Sequence, residues 1–167
     1  MVDSYGEIWN RHDGFSISTN KHYLDVDAIY EFLSKESYWN TGIPRELVKI
    51  MIENSAICYG IYDGSPSSGG AVQVGFARVV SDMVRFAWLA DVFVLPDYRG
   101  RGLSKWLMSV ILDNPFLKGV RFMLRTEDAH GLYAQYGFKT VEKPENTMDR
   151  PYNAQEIFKS YGITETY

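Results

Sequence analysis

Cysteine, histidine and long apolar runs are scarce in this sequence, and each scarcity narrows the classes of protein that fit it. Cys58 is the single cysteine, so no intramolecular disulfide can form, and we expect a buried thiol in a thiol-reducing compartment. The three histidines, His12, His22 and His130, lack metal-ligand spacing, so no metal site is predicted. No apolar stretch approaches the ~18 residues of a membrane span, and the start has no apolar signal segment. We therefore expect a cytoplasmic protein without a membrane partner.

Length and charge set two further limits. At 167 residues the chain has the size of one domain, so a single domain over residues 1–167 is predicted. Its 17 basic and 21 acidic residues give a net charge of -4, which argues against nonspecific binding of nucleic acid. An anionic ligand would have to be met by a local cluster of basic residues.

Two amphipathic helices are predicted after a short strand at residues 15–19. Apolar residues recur at helical spacing over 25–35, where Asp25 is in position to cap the first turn. A second helix is predicted over 43–54, because Pro44 fits a first helical turn. The apolar stripe of this second helix consists of Leu47, Ile50 and Met51.

The middle of the chain is rich in β-forming residues. Two such runs flank residues 63–70, whose glycines, proline and serines favour a turn, so a hairpin with this tip is predicted. A third run, residues 85–95, is apolar enough to lie at the centre of a sheet. A helix is predicted to follow Gly102 and to end at residues 113–115.

Shorter elements are predicted in the last third of the chain. Residues 120–125 and 138–142 are predicted to be strands, and a short helix between them ends at Gly137. Residues 146–167 are expected to be irregular, with a helical turn or two. Together these elements predict an α/β fold of the α+β type, in which helices flank a mixed central sheet.

The stretch LPDYRGRGLSKWLM, residues 95–108, places two glycines and two arginines between a strand and a helix. Free backbone N–H groups and the helix dipole favour a phosphate at such a helix start. Gly100 and Gly102 would let a ligand approach the backbone, and Arg99 and Arg101 would add positive charge, so a pyrophosphate site is predicted. In the alternative interpretation, the glycines only cap and turn the chain. The letters match neither a Walker A loop nor a dinucleotide fingerprint.

Two segments resemble the GNAT superfamily of N-acetyltransferases. DVFVLPDYRGRGLSKWLM is similar to its acetyl-CoA-binding motif, in which a strand leads into R/Q-x-x-G-x-G/A. Arg99 and Gly102 match this motif, and Ser104 stands where the family usually has glycine or alanine. TEDAHGLYAQYGF resembles the family's N-x-x-A-x-x-L-Y-x-x-x-G-F ending, with Thr126 in place of asparagine. The resemblance covers residues 15–142 and leaves the C-terminal tail unassigned.

This resemblance implies acetyl-CoA as co-substrate and direct attack of a primary amine on its thioester in a ternary complex, without a metal. The cofactor-binding residues that it implies are Val92, Phe93, Val94, Arg99, Gly100, Arg101, Gly102, Leu103, Ser104 and Thr126. Backbone amides of residues 92–94 would hold the pantetheine arm as if it were another strand.

Two residues are candidates for proton transfer. Asp91, on the motif strand, is either the base that takes the proton of the amine or a carboxylate that orients the substrate or caps a backbone group. Tyr133 occupies the family's general-acid position and would protonate the departing thiolate. The alternative is that Tyr133 is a core aromatic on a short helix.

The sequence predicts only the chemical class of the acceptor substrate. Tyr38 and Trp39, together with Asn40, follow the first helix on the side that faces the acceptor in this fold, so a pocket with aromatic walls is expected. A small-molecule or peptide amine is the predicted acceptor, nucleic acid is not expected as a partner, and a homodimer is left open. The main alternative function is a non-catalytic acyl-CoA-binding or sensing module, and a weaker one is a nucleotide-binding module.

Overall fold

One six-stranded mixed sheet forms the centre of the fold, with helices packed on both faces. The computed structural model describes residues 6–163; the parts of the terminal predictions that fall on 1–5 and 164–167 lie outside the described residues. The strands are β1 (Ile8–Asn10), β2 (Phe15–Ser18), β3 (Ile57–Asp63), β4 (Val72–Ser81), β5 (Phe86–Val94) and β6 (Arg121–Met123). The helices are α1 (Val26–Lys35), α2 (Arg45–Asn54), α3 (Leu103–Leu112), α4 (His130–Ala134) and α5 (Ala154–Ser160). This architecture confirms the predicted α+β class.

The order of strands across the sheet is their order along the chain, from β1 to β6. Each neighbouring pair from β1 to β5 is antiparallel, whereas β5 and β6 are parallel. A parallel pair needs a crossover connection, and α3 provides it.

The two faces of the sheet pack against different helices. On one face, Tyr59 of β3 lies in the same core cluster as Leu107 of α3. On the other face, Phe93 of β5 stacks on Phe32 of α1, with ring centroids 3.9 Å apart. Cys58 is buried on this second face, as predicted, and burial raises the pKa of its thiol to about 11. Because successive strand residues point to opposite faces, the central strands are apolar on both sides.

The first turns of α1 and α3 follow the predicted patterns. The side chain of Asp25 accepts hydrogen bonds from the backbone N–H groups of Asp27 and Ala28, which confirms it as the N-cap of α1. Gly102 precedes Leu103 at the start of α3 with a φ of 71°. Glycine adopts this left-handed conformation without the steric cost that a Cβ atom would add.

A β-bulge in β5 interrupts its ladder with β4. Phe93 pairs with Phe76 and Ala90 pairs with Arg78, so three steps along β5 oppose two along β4. Asp91 lies at the bulge with a φ of 52°, a left-handed conformation that aspartate tolerates better than most residues. Bulges re-aim side chains, and this one takes Asp91 out of the regular alternation.

β5 and β6 separate soon after they pair. Their parallel register runs only from Phe86 and Arg121 to Trp88 and Met123. Beyond it, the β6-facing edge of residues 90–94 has no strand partner in the part of the chain that the structure describes. The two strands therefore open into a cleft at their carboxyl ends, the position where parallel strands usually meet a ligand.

The strand predicted over 138–142 is wrong, because this segment does not join the sheet. Phe138 packs its ring against Tyr133 and Phe122 at centroid distances of 5.8 and 6.2 Å. Most residues after it are exposed, so the segment lacks an apolar face that would hold it in register against β6. An open cavity of about 990 Å³ is lined by both β6 and this segment.

The predicted apolar stripe of α2 differs from the face of the helix that is buried in the structure. Val48 and Ile52 are buried together with Leu47, whereas Ile50 and Met51 are only half-buried. The helix is turned so that its contact with α1 and the sheet runs through Val48, a position that the predicted spacing left out. Periodicity indicates that a helix is amphipathic, but the exact contact face depends on what it packs against.

Two elements were missed or only partly predicted from the sequence. β1 was not predicted, because three residues are too few for an alternating pattern to be recognised. In the tail, where a helical turn or two was expected, α5 forms, and its Ile157 and Phe158 pack against the core beneath α1 and α2. Across residues 6–163, none of the helices combines the length and the apolar character that crossing a membrane requires.

Gly75 leaves no room for a side chain where β4 lies against β5. A Cβ atom at this position would lie 2.8 Å from both the Phe93 carbonyl oxygen and Cδ1 of Ile61. We expect Gly75→Ala to lower the free energy of unfolding by about 1–3 kcal/mol, because the strand that carries the cleft would have to shift. Chemical denaturation measures this loss. Gly131→Ala in α4 is the matched control, since its Cβ would meet nothing within 4 Å; a similar loss in both variants would contradict the packing argument.

Candidate active site

The diverging ends of β5 and β6 line a cavity of about 650 Å³, here called the central cavity. The residues singled out from the sequence that line it are Tyr38, Trp39, Asp91, Val92, Phe93, Val94, Arg99, Ser104, Thr126 and Tyr133. Gly100, Arg101, Gly102 and Leu103 are not among its lining residues. The fold thus brings candidates for the acceptor, the cofactor and the proton transfers to one place, while most of the glycine loop lies beside it.

Asp91 is buried, and both of its carboxylate oxygens accept hydrogen bonds. Oδ1 accepts from Trp39 Nε1 at 3.0 Å and from Asn40 Nδ2 at 2.8 Å. Oδ2 accepts from Arg78 Nε at 2.5 Å. The Asp91 and Arg78 side chains are 3% and 16% exposed, so their ion pair is largely shielded from solvent. The carboxylate therefore ties the segment after α1 to both β4 and β5.

Tyr133 lies in α4 and is 8% exposed. Burial raises the pKa of its hydroxyl to about 12, and the nearby Tyr38 and Asp128 act in the same direction. Tyr133 lines the central cavity, and its hydroxyl has no hydrogen-bond partner among residues 6–163. Such a phenol keeps its proton at neutral pH and can donate a hydrogen bond to a group that enters the cavity.

Tyr38 and Trp39 form an aromatic rim on the central cavity and are 49% and 40% exposed. Their rings meet edge to face, with centroids 4.9 Å apart. The Tyr38 hydroxyl accepts a hydrogen bond from the Glu127 backbone N–H at 3.1 Å and lies 3.5 Å from Oδ1 of Asp128. Both rings are thus held by hydrogen bonds at their polar ends and by their contact with each other, while a large part of each side chain stays accessible.

The loop before α3 lies beside the central cavity, which Arg99 and Ser104 on either side of it line. Gly100 and Gly102 have φ values of 76° and 71°, and a Cβ at Gly100 would meet nothing within 4 Å. Arg99 donates from Nε to the Val94 carbonyl at 3.1 Å, which leaves its other N–H groups available. Across the cavity, the Thr126 hydroxyl accepts a hydrogen bond from the backbone N–H of the residue that precedes α4.

Arg11, which the sequence did not single out, supports this loop from the turn between β1 and β2. Its Nη2 donates to the Arg101 carbonyl at 3.1 Å, and its guanidinium lies 5.4 and 5.2 Å from the ring centroids of Phe15 and Trp106. The guanidinium of Arg101 lies over the rings of Phe15 and Tyr98. The positive charge of Arg101 therefore lies against aromatic rings beside the loop. The contact from Arg11 could not have been predicted, because a single arginine in a polar turn forms no recognisable sequence pattern.

Arg78, Glu127 and Asp128 also line the central cavity without having been predicted. Arg78 did have a recognisable pattern, because it is the one charge in the β-rich run VGFARVV, and a charge buried in a sheet needs a partner. Within residues 6–163 no three metal-ligating side chains form a group, and the expected absence of a metal stays a prediction.

The chain is similar to a known protein family, to named relatives and to solved structures. The family model "Acetyltransferase (GNAT) domain" matches residues 54–140, just over half of the chain. A Gibberella zeae protein named "Putative acetyltransferase FG08082" is 33% identical over a 144-residue alignment, and the match covers 76% of this chain and 79% of that protein. A Xanthomonas campestris crystal structure described as belonging to the GNAT family is 44% identical, with a TM-score of 0.76, and the match covers 83% of this chain and 93% of that one.

A further relative matches this chain over a smaller part of the relative's own length. "Uncharacterized N-acetyltransferase ycf52" of Gracilaria tenuistipitata is 36% identical over 111 residues, which are 66% of this chain. The match spans 56% of that protein, so this chain corresponds to just over half of the relative.

The shielded ion pair of Asp91 and Arg78 can be tested by a double-mutant cycle. We expect Asp91→Ala and Arg78→Ala each to lower the free energy of unfolding by about 3–5 kcal/mol, because each leaves a buried charge without its partner. The double variant should lose less than the sum of the two. The exposed ion pair of Lys139 with Glu142 is the control, and its two alanine variants should change stability little. Additive losses at Asp91 and Arg78, measured by urea denaturation, would contradict the coupling.

Proposed function

The chain belongs to the GNAT acetyltransferase family and is an acyltransferase, and we propose that it moves an acetyl group from acetyl-CoA to a primary amine in a ternary complex. The observation that carries this proposal is the central cavity, which the edge of β5, Ser104 at the start of α3, and Tyr133 all line. Family membership favours this enzyme over the sensing module and the nucleotide-binding module that the sequence left open.

The residues at the cavity fit the chemistry of acetyl-CoA. The β6-facing edge of residues 92–94 offers unpaired backbone groups to which the amides of the pantetheine arm can add as a strand. The loop amides and the start of α3 suit a pyrophosphate, since there is open space where Gly100 would otherwise carry a side chain. Acetyl-CoA supplies the activated thioester, and the chain binds and orients it.

Tyr133 is the proposed donor to the leaving sulfur. As the amine attacks, the C–N bond forms, the C–S bond breaks and negative charge develops on sulfur. A free thiol has a pKa near ~8.5, below the value of about 12 for Tyr133, so complete proton transfer from the phenol is uphill. The hydroxyl therefore acts chiefly as a hydrogen-bond donor that stabilises the developing thiolate, which takes its final proton from water.

For Asp91 we propose a positioning role in which it orients neighbouring side chains, rather than the base, the substrate-orienting carboxylate or the backbone cap that the sequence analysis considered. Three donors already occupy its oxygens, which leaves roughly one of its four lone-pair positions. A general base needs an oxygen directed at the proton it removes. The ammonium proton of the acceptor is therefore released to water at the exposed rim, while Asp91 holds Trp39 and Asn40 in place.

We also propose that the enzyme works in the cytoplasm. The single thiol of Cys58 is buried and unpaired with another cysteine, which suits a compartment where thiols stay reduced.

Removal of the Tyr133 hydroxyl tests the proposed reaction. In a free-thiol release assay with acetyl-CoA and primary amines, we expect Tyr133→Phe to lower kcat by about 10²–10³, the usual cost of losing one donor to a developing charge. The Kd for acetyl-CoA should stay near the wild-type value. Tyr136→Phe is the matched control: the Tyr136 hydroxyl donates to the Lys105 carbonyl at 2.6 Å, so its loss should affect stability and leave kcat unchanged. An undiminished rate in folded Tyr133→Phe would contradict the assignment.

The pH dependence of kcat gives a second test of Tyr133. A raised pKa means that the hydroxyl keeps its proton until the pH approaches about 12. The rate should therefore rise as the acceptor amine loses its proton and should not fall again below pH ~10 on account of this group. A falling limb below that pH that is lost in Tyr133→Phe would contradict the raised pKa.

Arg99 tests the proposed pyrophosphate site. We expect Arg99→Met to weaken binding of CoA roughly tenfold or more, as loss of a charged hydrogen bond does, and to leave binding of pantetheine, which lacks the pyrophosphate, nearly unchanged. Calorimetric titration measures both affinities. Arg85→Met removes the same charge from the exposed turn between β4 and β5 and is the control. Equal losses for CoA and pantetheine would show that Arg99 acts on the fold rather than on the pyrophosphate.

A further inference from the structure

Charge is unevenly distributed around the central cavity. The charged residues that line it are Glu36, Arg78, Asp91, Arg99, Arg125, Glu127 and Asp128. Arg78 is paired with Asp91 at 2.5 Å. Arg125 is paired with Asp149 at 2.9 Å. The three remaining carboxylates, those of the two glutamates and of Asp128, have no basic partner within residues 6–163.

These three carboxylates and the remaining arginine belong to different parts of the cavity. Arg99 is bound to the carbonyl of Val94, at the carboxyl end of β5. The aromatic rim meets β5 three residues earlier, where Trp39 donates to Asp91, and three strand residues span roughly 10 Å. Two of the free carboxylates follow β6 beside Tyr38. The cavity is therefore positive toward the proposed phosphate end and negative at the rim.

The aromatic rim adds a second means of attracting a cation. Tyr38 and Trp39 are both at least 40% exposed, and their edge-to-face contact can cover only one face of one of the two rings. An ammonium group within ~6 Å of such a face is attracted by the ring quadrupole. The aromatic rings and the carboxylates at this rim can therefore both attract the same ammonium group.

Independently of these charges, Tyr133 offers the cavity a polar group without a protein partner. The residue is more than nine-tenths buried and lines the same cavity, and its hydroxyl has no protein partner in the described part of the chain. The hydroxyl oxygen is not among the polar atoms that are both buried and unpartnered, so water or a polar group of a ligand can reach it and supply the missing hydrogen bond. Tyr38 and Asp128 are close enough to Tyr133 to raise the pKa of its hydroxyl, so this group and the acidic rim belong to one site.

We propose that the acceptor is a small linear diamine or polyamine, with one amine placed beside Tyr133 for acetylation and a second ammonium group held at the rim by Glu127, Asp128 and the faces of Tyr38 and Trp39. This rests on the proposed acetyl transfer and names its substrate class. The reacting ammonium first loses one proton to water, and its nitrogen bonds to the acetyl carbon as the C–S bond breaks. The nitrogen then loses a second proton to water to become the amide, and the departing thiolate takes one proton from water to become the CoA thiol. The second ammonium is unchanged.

The same features exclude other acceptors. An amine that carries a carboxylate would bring a negative charge to an already negative rim, which costs binding energy. The cavity, at about 650 Å³, falls within the range of small-molecule sites and has to hold the proposed pantetheine arm as well as the acceptor, which favours a short amine over a folded protein segment.

Three acceptors of equal chain length test the proposal in the thiol-release assay. Diaminobutane carries a second cation, butylamine carries none, and γ-aminobutyrate carries an anion. We expect kcat/KM for diaminobutane to exceed that for butylamine roughly tenfold, from one cation–π contact and exposed ion pairs together, with γ-aminobutyrate the poorest. The preference should shrink as salt is raised, because exposed charges are screened.

A charge-neutralising pair of variants locates the effect. Glu127→Gln with Asp128→Asn should bring the ratio of kcat/KM for diaminobutane over butylamine close to one. Glu53→Gln with Asp63→Asn removes the same number of charges from exposed positions outside the central cavity and should keep the wild-type ratio. Thermal melting of both double variants checks that they are folded.

Several outcomes would overturn the proposal, and they separate it from the proposed acetyl transfer. Release of thiol with butylamine and diaminobutane at equal kcat/KM would reject the second cationic group while keeping the transferase. A ratio that Glu127→Gln with Asp128→Asn does not change would reject the rim. A lysine-containing peptide with a higher kcat/KM than diaminobutane would reject the small-molecule class. No release with any amine would reject acetyl transfer itself.

Discussion

The ion pair between Asp91 and Arg78 holds together the part of the fold on which the central cavity depends. Asp91 sits at the bulge of β5 in a left-handed conformation, which a residue with a side chain adopts only when its surroundings compensate for the strain. That compensation comes from Arg78 and from two side-chain donors in the segment after α1. One carboxylate thus fixes the bulge, and the bulge in turn places Trp39 at the rim.

The cavity exists because a sheet edge is left open. β5 and β6 share a register of only three residues before they part, and the backbone groups of the rest of β5 on that side have no strand partner in the described chain. Unpaired backbone groups are costly when buried and are satisfied by water or ligand when they line a cleft. An extended ligand with its own amides would complete the sheet, and this is the physical reason for proposing that a pantetheine arm binds along this edge.

Function at this site depends on local charge rather than on the net charge of the chain. The protein is acidic overall, at -4, yet Arg99 and the start of α3 make one part of the cavity favourable to an anion. At the rim, the carboxylates of Glu127 and Asp128 favour a cation instead. An enzyme that joins an anionic cofactor to a cationic acceptor needs both regions close together, and a cavity bounded by two diverging strands can provide them from different elements.

Local patterns in the sequence determined the elements that carry the site: the amphipathic α1 with its Asp25 cap, the strand of residues 85–95, and the glycine loop and helix that follow it, while Tyr133 was found through the family resemblance of its motif. Periodicity, capping and glycine conformation act over a few residues, so they can be recognised without a partner. The tertiary structure alone decided which distant groups meet: Asn40 reaches Asp91 across 51 residues, and Arg11 reaches the glycine loop across 90. It also decided that residues 138–142 stay out of the sheet, because an alternating pattern becomes a strand only where a neighbouring edge and an apolar face hold it.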